Sequence, residues 1–387
     1  MNDAITPFKV DIPQAALDDL KTRIANTRWP EKEAVNDWSQ GMPLAYTQEL
    51  AKYWGEEYDW RRWESTLNAW DQFTTAIDDI DIHFLHIRSP HEEALPMVIT
   101  HGWPGSIVEF HKVIGPLTDP TAHGGSAEDA FHLVVPSIPG YGFSSKPTHA
   151  GTGAEQVGRM WGELMARLGY DRYIAQGGDW GALITQCMGQ TETEHCAAIH
   201  INMPICPPDE EGMQDMTEFE LAALTSMGDY NEWDSGYSKQ QSTRPQTLAY
   251  GLADSAIGQM AWIVEKFWSW MDCGEGADQH PENILSKDEL LDNVMMYWLT
   301  NTAASSGRLY WESFAKTNLK PIDMPVGASI FPKEIFRASR RWAEKRFSNI
   351  LYWNTLDQGG HFAAFEQPQV FVQELRKCFA SLRTPAA

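Results

Sequence analysis

The amino-acid sequence predicts an α/β protein, with a mainly parallel sheet, helices on both faces and one helical insertion. Three observations predict this fold class. From about residue 95, short apolar runs typical of strands alternate with helical segments, as in parallel sheets. The alternation stops near Pro204, and a mostly helical stretch follows to about Asp323. Strand-like runs then return before a final helix near Pro368–Leu382.

The chain before residue 95 differs from the rest in composition and in its predicted elements. It is rich in charge and tryptophan, with predicted helices over Gln14–Asn26 and Leu44–Trp54 and an alternating strand over Asp81–Arg88. The predicted core strands are Pro96–Thr100, Phe131–Pro136, Tyr173–Gln176, Ala197–Asn202, Val326–Phe331 and Ile350–Asn354, with a helix over Ala154–Leu168. We therefore expect an N-terminal segment (1–94), a core in two parts (95–206 and 324–387) and an insertion (207–323).

Composition excludes several classes of protein. The 387 residues fit one large α/β domain with additions, and 43% apolar residues are ample for a core. A formal net charge of -23 argues against nucleic acid and anionic membrane surfaces as partners. The five cysteines lack C-x-x-C spacing, which favours reduced thiols in the cytoplasm over disulfides or zinc.

No targeting segment, membrane span or cofactor motif is apparent. The N-terminus has no basic and apolar signal pattern, and no run reaches the roughly 18 apolar residues of a membrane helix. His83 and His86 fall on opposite faces of a predicted strand, so they are not placed to bind one metal ion together. Gly151–Gln156 lacks the third glycine of a dinucleotide loop. We expect a soluble cytoplasmic protein without a cofactor.

The strongest local signal is Gln176-Gly177-Gly178-Asp179-Trp180-Gly181, between a predicted strand and a helix. Glycines two positions either side of Asp179 fit a nucleophile elbow, a tight turn without room for Cβ atoms at the flanks. The elbow motif G-x-S-x-G here reads G-x-D-x-G. Alternatively, Asp179 merely caps the following helix, since Asp is a good N-cap.

Three further segments favour the catalytic interpretation. His101-Gly102-Trp103-Pro104-Gly105 follows a strand, so the backbone N–H groups of Trp103 and Trp180 can together hold an oxyanion. His361 lies on a glycine-containing loop after the last strand, and Glu334 follows the strand before it. Nucleophile, acid and histidine then occur in the chain order of a hydrolase triad. Asp323 and Asp357 are rival acids.

Together these residues resemble the microsomal-type epoxide hydrolases. The resemblance covers nearly the whole chain, and its motifs are specific jointly rather than singly. They are His101–Gly105, Ser137–Ser144, Gly177–Gly181 and Gly360–Glu366, with Phe8–Val10, Trp29–Pro30 and Trp60–Trp63 in the N-terminal segment.

The resemblance implies an α/β-hydrolase fold with an N-terminal meander and a helical cap over the active site. It implies Asp179 as nucleophile, His361 as base and Glu334 as acid, with Tyr237 and Tyr310 reaching in from the cap. The implied reaction converts a small-molecule epoxide and water to a vicinal diol through an ester on the aspartate. The oligomeric state stays open, a homodimer being one alternative.

Two other functions compete with this one. A haloalkane dehalogenase would share the fold and the aspartate nucleophile, but a halide leaving group needs no proton, so paired tyrosines favour the epoxide. A non-catalytic binding protein on the same fold is the second alternative. Every catalytic position is filled by a competent side chain, which argues against it.

Overall fold

The structure, a computed structural model, describes residues 4–314, 316–317 and 319–383. In these residues one sheet contains nine strands in the order β1-β2-β3-β5-β4-β6-β7-β8-β9. The strands are β1 (Thr6–Pro7), β2 (Gln72–Ile77), β3 (Ile80–Ile87), β4 (Leu95–Thr100), β5 (Phe131–Pro136), β6 (Tyr173–Gly177), β7 (Cys196–Ile201), β8 (Val326–Ile330) and β9 (Ile350–Thr355).

Helices connect the strands and cover the sheet. They are α1 (Gln14–Ala25), α2 (Leu44–Glu56), α3 (Trp60–Leu67), α4 (His111–Thr118), α5 (Ala154–Arg167), α6 (Asp179–Thr191), α7 (Glu218–Asp229), α8 (Gly236–Thr243), α9 (Pro245–Asp254), α10 (Ala256–Trp270), α11 (Lys287–Trp298), α12 (Ala303–Ser313), α13 (Arg340–Ala343), α14 (Ala363–Glu366) and α15 (Pro368–Phe379). A five-residue π-helix, Tyr230–Asp234, precedes α8.

The sheet is parallel from β5 to β9 and antiparallel at its β1 end. β4 pairs in parallel with β5 and β6, and β7, β8 and β9 continue in the same direction. Thr100 at the end of β4 is opposite Gly177 at the end of β6. Because parallel strands end at the same edge of a sheet, the loops after β4, β6, β8 and β9 converge there. The predicted site residues of the core all lie on these four loops or at the start of α6.

The predicted core strands and the predicted helices over residues 14–26 and 44–54 are present, with ends that differ by one or two residues. The mainly parallel sheet with helices is confirmed. Strand β2 has no clear signal in the sequence and was not predicted. It pairs with β3 through a turn at Asp78 and Asp79, two residues with positive φ. Strand β1 and the tryptophan-containing helix α3 were not predicted either. These elements extend the sheet within the N-terminal segment.

The segment between β7 and β8 contains helices α7 to α12, as its mostly helical sequence pattern predicts. The N-terminal segment is anchored to α11 by the buried side chain of Asp292. Asp292 Oδ1 accepts hydrogen bonds from Tyr58 Oη at 2.7 Å and Arg62 Nη2 at 2.6 Å. Burial raises the pKa of Asp292 to about 6, although Arg62 opposes the shift. The predicted boundaries between the N-terminal segment, the core and the insertion stay predictions, because contacts of this kind do not show at which residue a domain begins.

Candidate active site

Asp179 lies at a sharp turn between β6 and α6. Its φ of +50° is in the left-handed region, which costs a residue with a side chain roughly 1–3 kcal/mol. A Cβ atom on Gly177 would lie 2.1 Å from Gly181 O, and one on Gly181 would lie 2.0 Å from Thr100 O. Both flanking positions therefore require glycine. The residue before α6 is Gly178, and the Asp179 carboxylate accepts from the Trp103 N–H on another loop, so the interpretation that Asp179 merely caps the helix is wrong.

The loop after β4 lies against the Asp179 carboxylate. The Trp103 backbone N–H donates to Asp179 Oδ1 at 2.7 Å. A Cβ atom on Gly102 would lie 2.2 Å from the same oxygen, so this close approach also requires glycine. The Trp180 N–H is in the first turn of α6, where no helical carbonyl is in position to accept it. Negative charge on Oδ1 is thus stabilised by at least one of the two predicted donors.

The loops after β8 and β9 bring a carboxylate and an imidazole together. Glu334 Oε1 lies 2.6 Å from His361 Nδ1, and His361 Nε2 lies 3.3 Å from Asp179 Oδ2. The Lys333 N–H donates to Gly359 O at 3.2 Å and joins the two loops. The side chains of Glu334, His361 and Asp179 are all buried. A neutral histidine held by Glu334 at Nδ1 would therefore present Nε2 toward Asp179.

The rival acid Asp323 lies elsewhere. Its Oδ1 accepts a hydrogen bond from Ser348 Oγ at 2.7 Å. Asp323 also precedes β8, at the opposite end of that strand from Glu334. Of these two acids, Glu334 is the one that contacts His361.

The two neighbouring carboxylates control the protonation of His361. Burial alone would lower the pKa of this imidazole, but Glu334 and Asp179 outweigh burial and raise the pKa well above its ordinary value. The imidazolium form is therefore favoured while both carboxylates are charged. Loss of either charge would lower the pKa of His361 and favour the neutral base.

Tyr237 on α8 and Tyr310 on α12 approach Asp179 from the helical insertion. Their ring centroids are 5.8 Å apart, and both rings contact Trp103, with centroid distances of 4.8 Å for Tyr237 and 5.9 Å for Tyr310. Burial raises the pKa of each phenol well above its ordinary value. Both hydroxyl groups therefore stay protonated at neutral pH and are available as donors.

Comparison with known proteins identifies the family. Residues 5–110 match a family model described as the epoxide hydrolase N terminus, and residues 96–253 match the alpha/beta hydrolase fold. A putative epoxide hydrolase of Stigmatella aurantiaca is 54% identical over 381 residues, which cover 98% of this chain and 86% of that protein. The chain belongs to the microsomal-type epoxide hydrolase family. The resemblance predicted from the motifs is confirmed.

Two further relatives of this epoxide hydrolase agree. Epoxide hydrolase 1 of Sus scrofa is 34% identical over 405 residues, covering 97% of this chain and 88% of that one. The crystal structure of juvenile hormone epoxide hydrolase from the silkworm Bombyx mori superimposes with a TM-score of 0.90, at 30% identity over 99% of this chain and 95% of that one. The predicted α/β-hydrolase fold is thus confirmed.

The family membership decides between the predicted functions. The enzyme converts an epoxide and water to a vicinal diol through a covalent aspartyl ester, the reaction of its family. The dehalogenase and the non-catalytic alternatives are excluded on this ground. In the described part of the epoxide hydrolase, no helix is long and apolar enough to cross a membrane. Within the same residues, no cluster of three His, Cys, Asp or Glu side chains is arranged to hold a metal ion.

A cavity of about 300 Å³ in this epoxide hydrolase opens onto Asp179. Tyr237, Tyr310 and Trp180 are part of its wall. The rest of the wall is mostly apolar and comprises Leu183, Met203, Ile205, Tyr230, Ser313, Phe314, Thr317, Leu319, Ile335 and Phe336. A substrate in this cavity would therefore contact the aspartate and both phenols and otherwise mainly hydrocarbon.

Sequence reasoning missed two residues beside the site. Tyr230 Oη lies 3.0 Å from Tyr237 Oη, and the Trp270 ring lies 5.0 Å from the His361 ring. The His361 backbone N–H also donates to Trp270 O at 3.0 Å. The seven-residue spacing of Tyr230 and Tyr237 is a helical signal for a shared face. Nothing in the sequence indicates that Trp270, on the insertion, would hold a loop of the core.

Proposed function

We propose that Asp179 is the nucleophile, His361 the base, Glu334 its orienting acid, and Tyr237 and Tyr310 the acids that assist ring opening. The observation that carries this proposal is the buried chain of contacts from Glu334 through His361 to Asp179, which ends at a cavity walled by both phenols. The Trp103 and Trp180 N–H groups are proposed as the oxyanion donors.

The first step opens the epoxide. Asp179 Oδ2 attacks a ring carbon, and the carbon–oxygen bond of the ring breaks as a phenol gives its proton to the leaving oxygen. A carboxylate needs no base for this attack. The products are an ester on Asp179 and one phenolate. Protonation by Tyr237 or Tyr310 avoids a free alkoxide in a mostly apolar cavity.

The second step hydrolyses the ester. Esterification removes the negative charge of Asp179, so one of the two groups that raise the pKa of His361 is lost. The imidazolium then gives its proton to the phenolate left by the first step, which restores the phenol and leaves His361 neutral. His361 then takes a proton from water, and the hydroxide attacks the ester carbonyl. The resulting oxyanion is stabilised by the Trp103 and Trp180 N–H groups. His361 returns its proton to the departing diol oxygen, and the proton of the new carboxyl group passes to His361, which restores the resting imidazolium.

The cavity wall favours an uncharged, apolar epoxide. A volume of about 300 Å³ is at the small end of the range for ligand sites. Among the residues that the structure describes, the wall offers polar groups only near Asp179 and at Ser313 and Thr317. A charged substituent would lose its hydration without gaining an ionic partner, and burial of an unpaired charge is costly. We therefore propose aryl- or alkyl-substituted epoxides as the substrate class.

Styrene oxide and an epoxide of similar size with a carboxylate substituent distinguish this substrate class. We expect kcat/KM for styrene oxide to be higher by about two decades or more, given the roughly 3 kcal/mol or more that burial of a charge costs. Steady-state diol formation measures both values, and a chlorinated alkane, followed by halide release, serves as the negative control. Equal kcat/KM values for the two epoxides would contradict an apolar substrate class.

Replacement of each tyrosine with phenylalanine tests the proposed acids. A hydrogen bond to a charged group is worth roughly 1.5–3 kcal/mol, so each of Tyr237→Phe and Tyr310→Phe should slow alkylation by about one to two decades. The double variant should be slower than the two single effects combined predict, because both phenols act on one oxygen. Stopped-flow fluorescence follows alkylation through the indoles of Trp103 and Trp180.

Tyr250→Phe is the matched control, because the Tyr250 side chain is 70% exposed. It should leave the alkylation rate unchanged. A double variant of Tyr237 and Tyr310 that opened styrene oxide at the wild-type rate would show that both tyrosines only pack the insertion. The nucleophile assignment would be untouched by that result.

We propose the cytoplasm as the compartment of the enzyme. All five cysteines are free and buried, which suits a reducing environment. Fractionation of the source cells with an antibody to the enzyme tests this location. Recovery of the enzyme with a membrane or secreted fraction would contradict it.

A further inference from the structure

Lys266 on α10 is a buried cation beside the proposed acid Tyr237. Its side chain is 7% exposed, and its ammonium nitrogen lies 4.9 Å from the centroid of the Tyr237 ring and 5.6 Å from that of Trp270. Burial of an ammonium group is costly unless it is paired. Replacement of a whole buried ion-pair cluster with apolar side chains is often neutral for stability, so stability alone does not explain why a charge is placed here.

The ion pairs of Lys266 hold it in this position. Its Nζ contacts Asp234 Oδ1 at 2.5 Å and Glu265 Oε2 at 2.8 Å. Asp234 is the last residue of the π-helix that precedes α8, and its Oδ2 accepts hydrogen bonds from Trp270 Nε1 and from Ser269 Oγ at 3.2 Å. Irregular π-turns occur frequently at functional sites. The ammonium group is thereby fixed against the ring that bears the reactive hydroxyl.

We propose that Lys266 is a positioning residue for ring opening, which acts by stabilising the negative charge that develops on Tyr237 as its proton leaves. This inference rests on the proposed role of Tyr237. When the epoxide opens, the Tyr237 O–H bond breaks, its proton passes to the epoxide oxygen, and the electron pair stays on Tyr237. A cation near the ring face attracts the neutral ring weakly and the phenolate strongly. The interaction therefore grows in the transition state, which is the condition for accelerating a step.

Tyr230 contacts the Tyr237 hydroxyl itself. Its hydroxyl lies 3.0 Å from the Tyr237 oxygen. A hydrogen bond donated by Tyr230 would leave the Tyr237 proton free for the substrate and would strengthen as Tyr237 gains charge. By contrast, among the described residues the Tyr310 hydroxyl has no hydrogen-bond partner of ordinary geometry.

Lys266→Met and Lys266→Arg test the inference by stopped-flow alkylation and ester hydrolysis with styrene oxide. We expect Lys266→Met to slow alkylation about ten-fold, the factor of one desolvated cation–π contact. Lys266→Arg should restore most of the rate, because the guanidinium also binds ring faces. Ester hydrolysis, which depends on His361, should stay unchanged in both. Lys112→Met is the matched control, since Lys112 lies 5.1 Å from the ring centroid of Phe365, which has no hydroxyl.

The decisive comparison uses the Tyr237→Phe background. If Lys266 acts through the Tyr237 hydroxyl, Lys266→Met should cause no further slowing there. A ten-fold slowing in both backgrounds would overturn the inference in favour of a structural clamp, and so would an unchanged rate in the single variant. If Tyr237→Phe itself left alkylation unchanged, the proposed function of Tyr237 would fail instead.

A second variant covers the case in which Lys266→Met fails to fold, because that change leaves the partly buried Asp234 and Glu265 without their cation. Lys266→Gln removes the positive charge alone and keeps a side-chain N–H group that can donate to Asp234. Thermal unfolding identifies a folded form. Folded Lys266→Gln should show the same slow alkylation, and a wild-type rate in it would overturn the inference.

Discussion

Replacement of Asp179 with alanine is expected to abolish epoxide turnover and leave the protein folded. The variant removes the only atoms proposed to bond to the substrate, and loss of a nucleophile in another hydrolase costs roughly 10⁶-fold in kcat. Diol formation from styrene oxide measures the loss. Far-UV circular dichroism and a cooperative thermal transition should match those of the wild-type protein.

Asp179→Asn is the matched variant. Its side-chain oxygen can still accept from Trp103 N–H, and asparagine tolerates the positive φ of this turn better than alanine does. We expect it to be equally inactive, with an intact mass that excludes conversion to aspartate. Turnover by either folded variant within ten-fold of the wild-type rate would rule out Asp179 as the nucleophile.

Replacement of His361 with glutamine is expected to trap the covalent ester. Asp179 keeps its reactive oxygen, so alkylation continues, whereas the base that activates water is gone. Ester hydrolysis should fall by about 10²–10⁴-fold, the usual contribution of a positioned acid or base. Intact-protein mass spectrometry should show a mass increase equal to one substrate molecule soon after mixing with styrene oxide.

Glu334→Gln provides the graded comparison for His361. Its amide oxygen can still accept from His361 Nδ1, so orientation is partly kept, but one of the carboxylates that raise the pKa of His361 is lost. We expect a milder slowing of ester hydrolysis than in His361→Gln. A His361→Gln protein that showed neither turnover nor adduct would mean that His361 is needed before alkylation, and the division of labour would be wrong.

The elements around the nucleophile were predictable because their constraints are local. Gly177 and Gly181 are read directly from the sequence, and the structure shows why no Cβ atom fits at either position. Chain order after successive strands placed Glu334 and His361 at one edge of a parallel sheet. The contact between them follows from that topology, although its 2.6 Å distance does not.

The elements that escaped prediction depend on contacts distant in sequence. β2 has a mixed pattern of burial, and its pairing with β3 is not visible as a periodic signal. Trp270 and Lys266 appear in the sequence as members of an aromatic helix, and only the packing of α10 against the His361 loop and Tyr237 gives them neighbours. The sequence shows which residues are chemically able to act, whereas the fold determines which of them meet.

A single turnover in ¹⁸O-labelled water, with enzyme in excess over styrene oxide, tests the covalent role of Asp179 most directly. In the proposed mechanism, the diol takes its second oxygen from the Asp179 carboxylate, and water replaces that oxygen on the protein. The label should therefore appear in the peptide that contains Asp179, and the first diol released should be largely unlabelled. Label found mainly in the diol, with none at Asp179, would mean that water attacks the epoxide directly and would contradict the covalent mechanism.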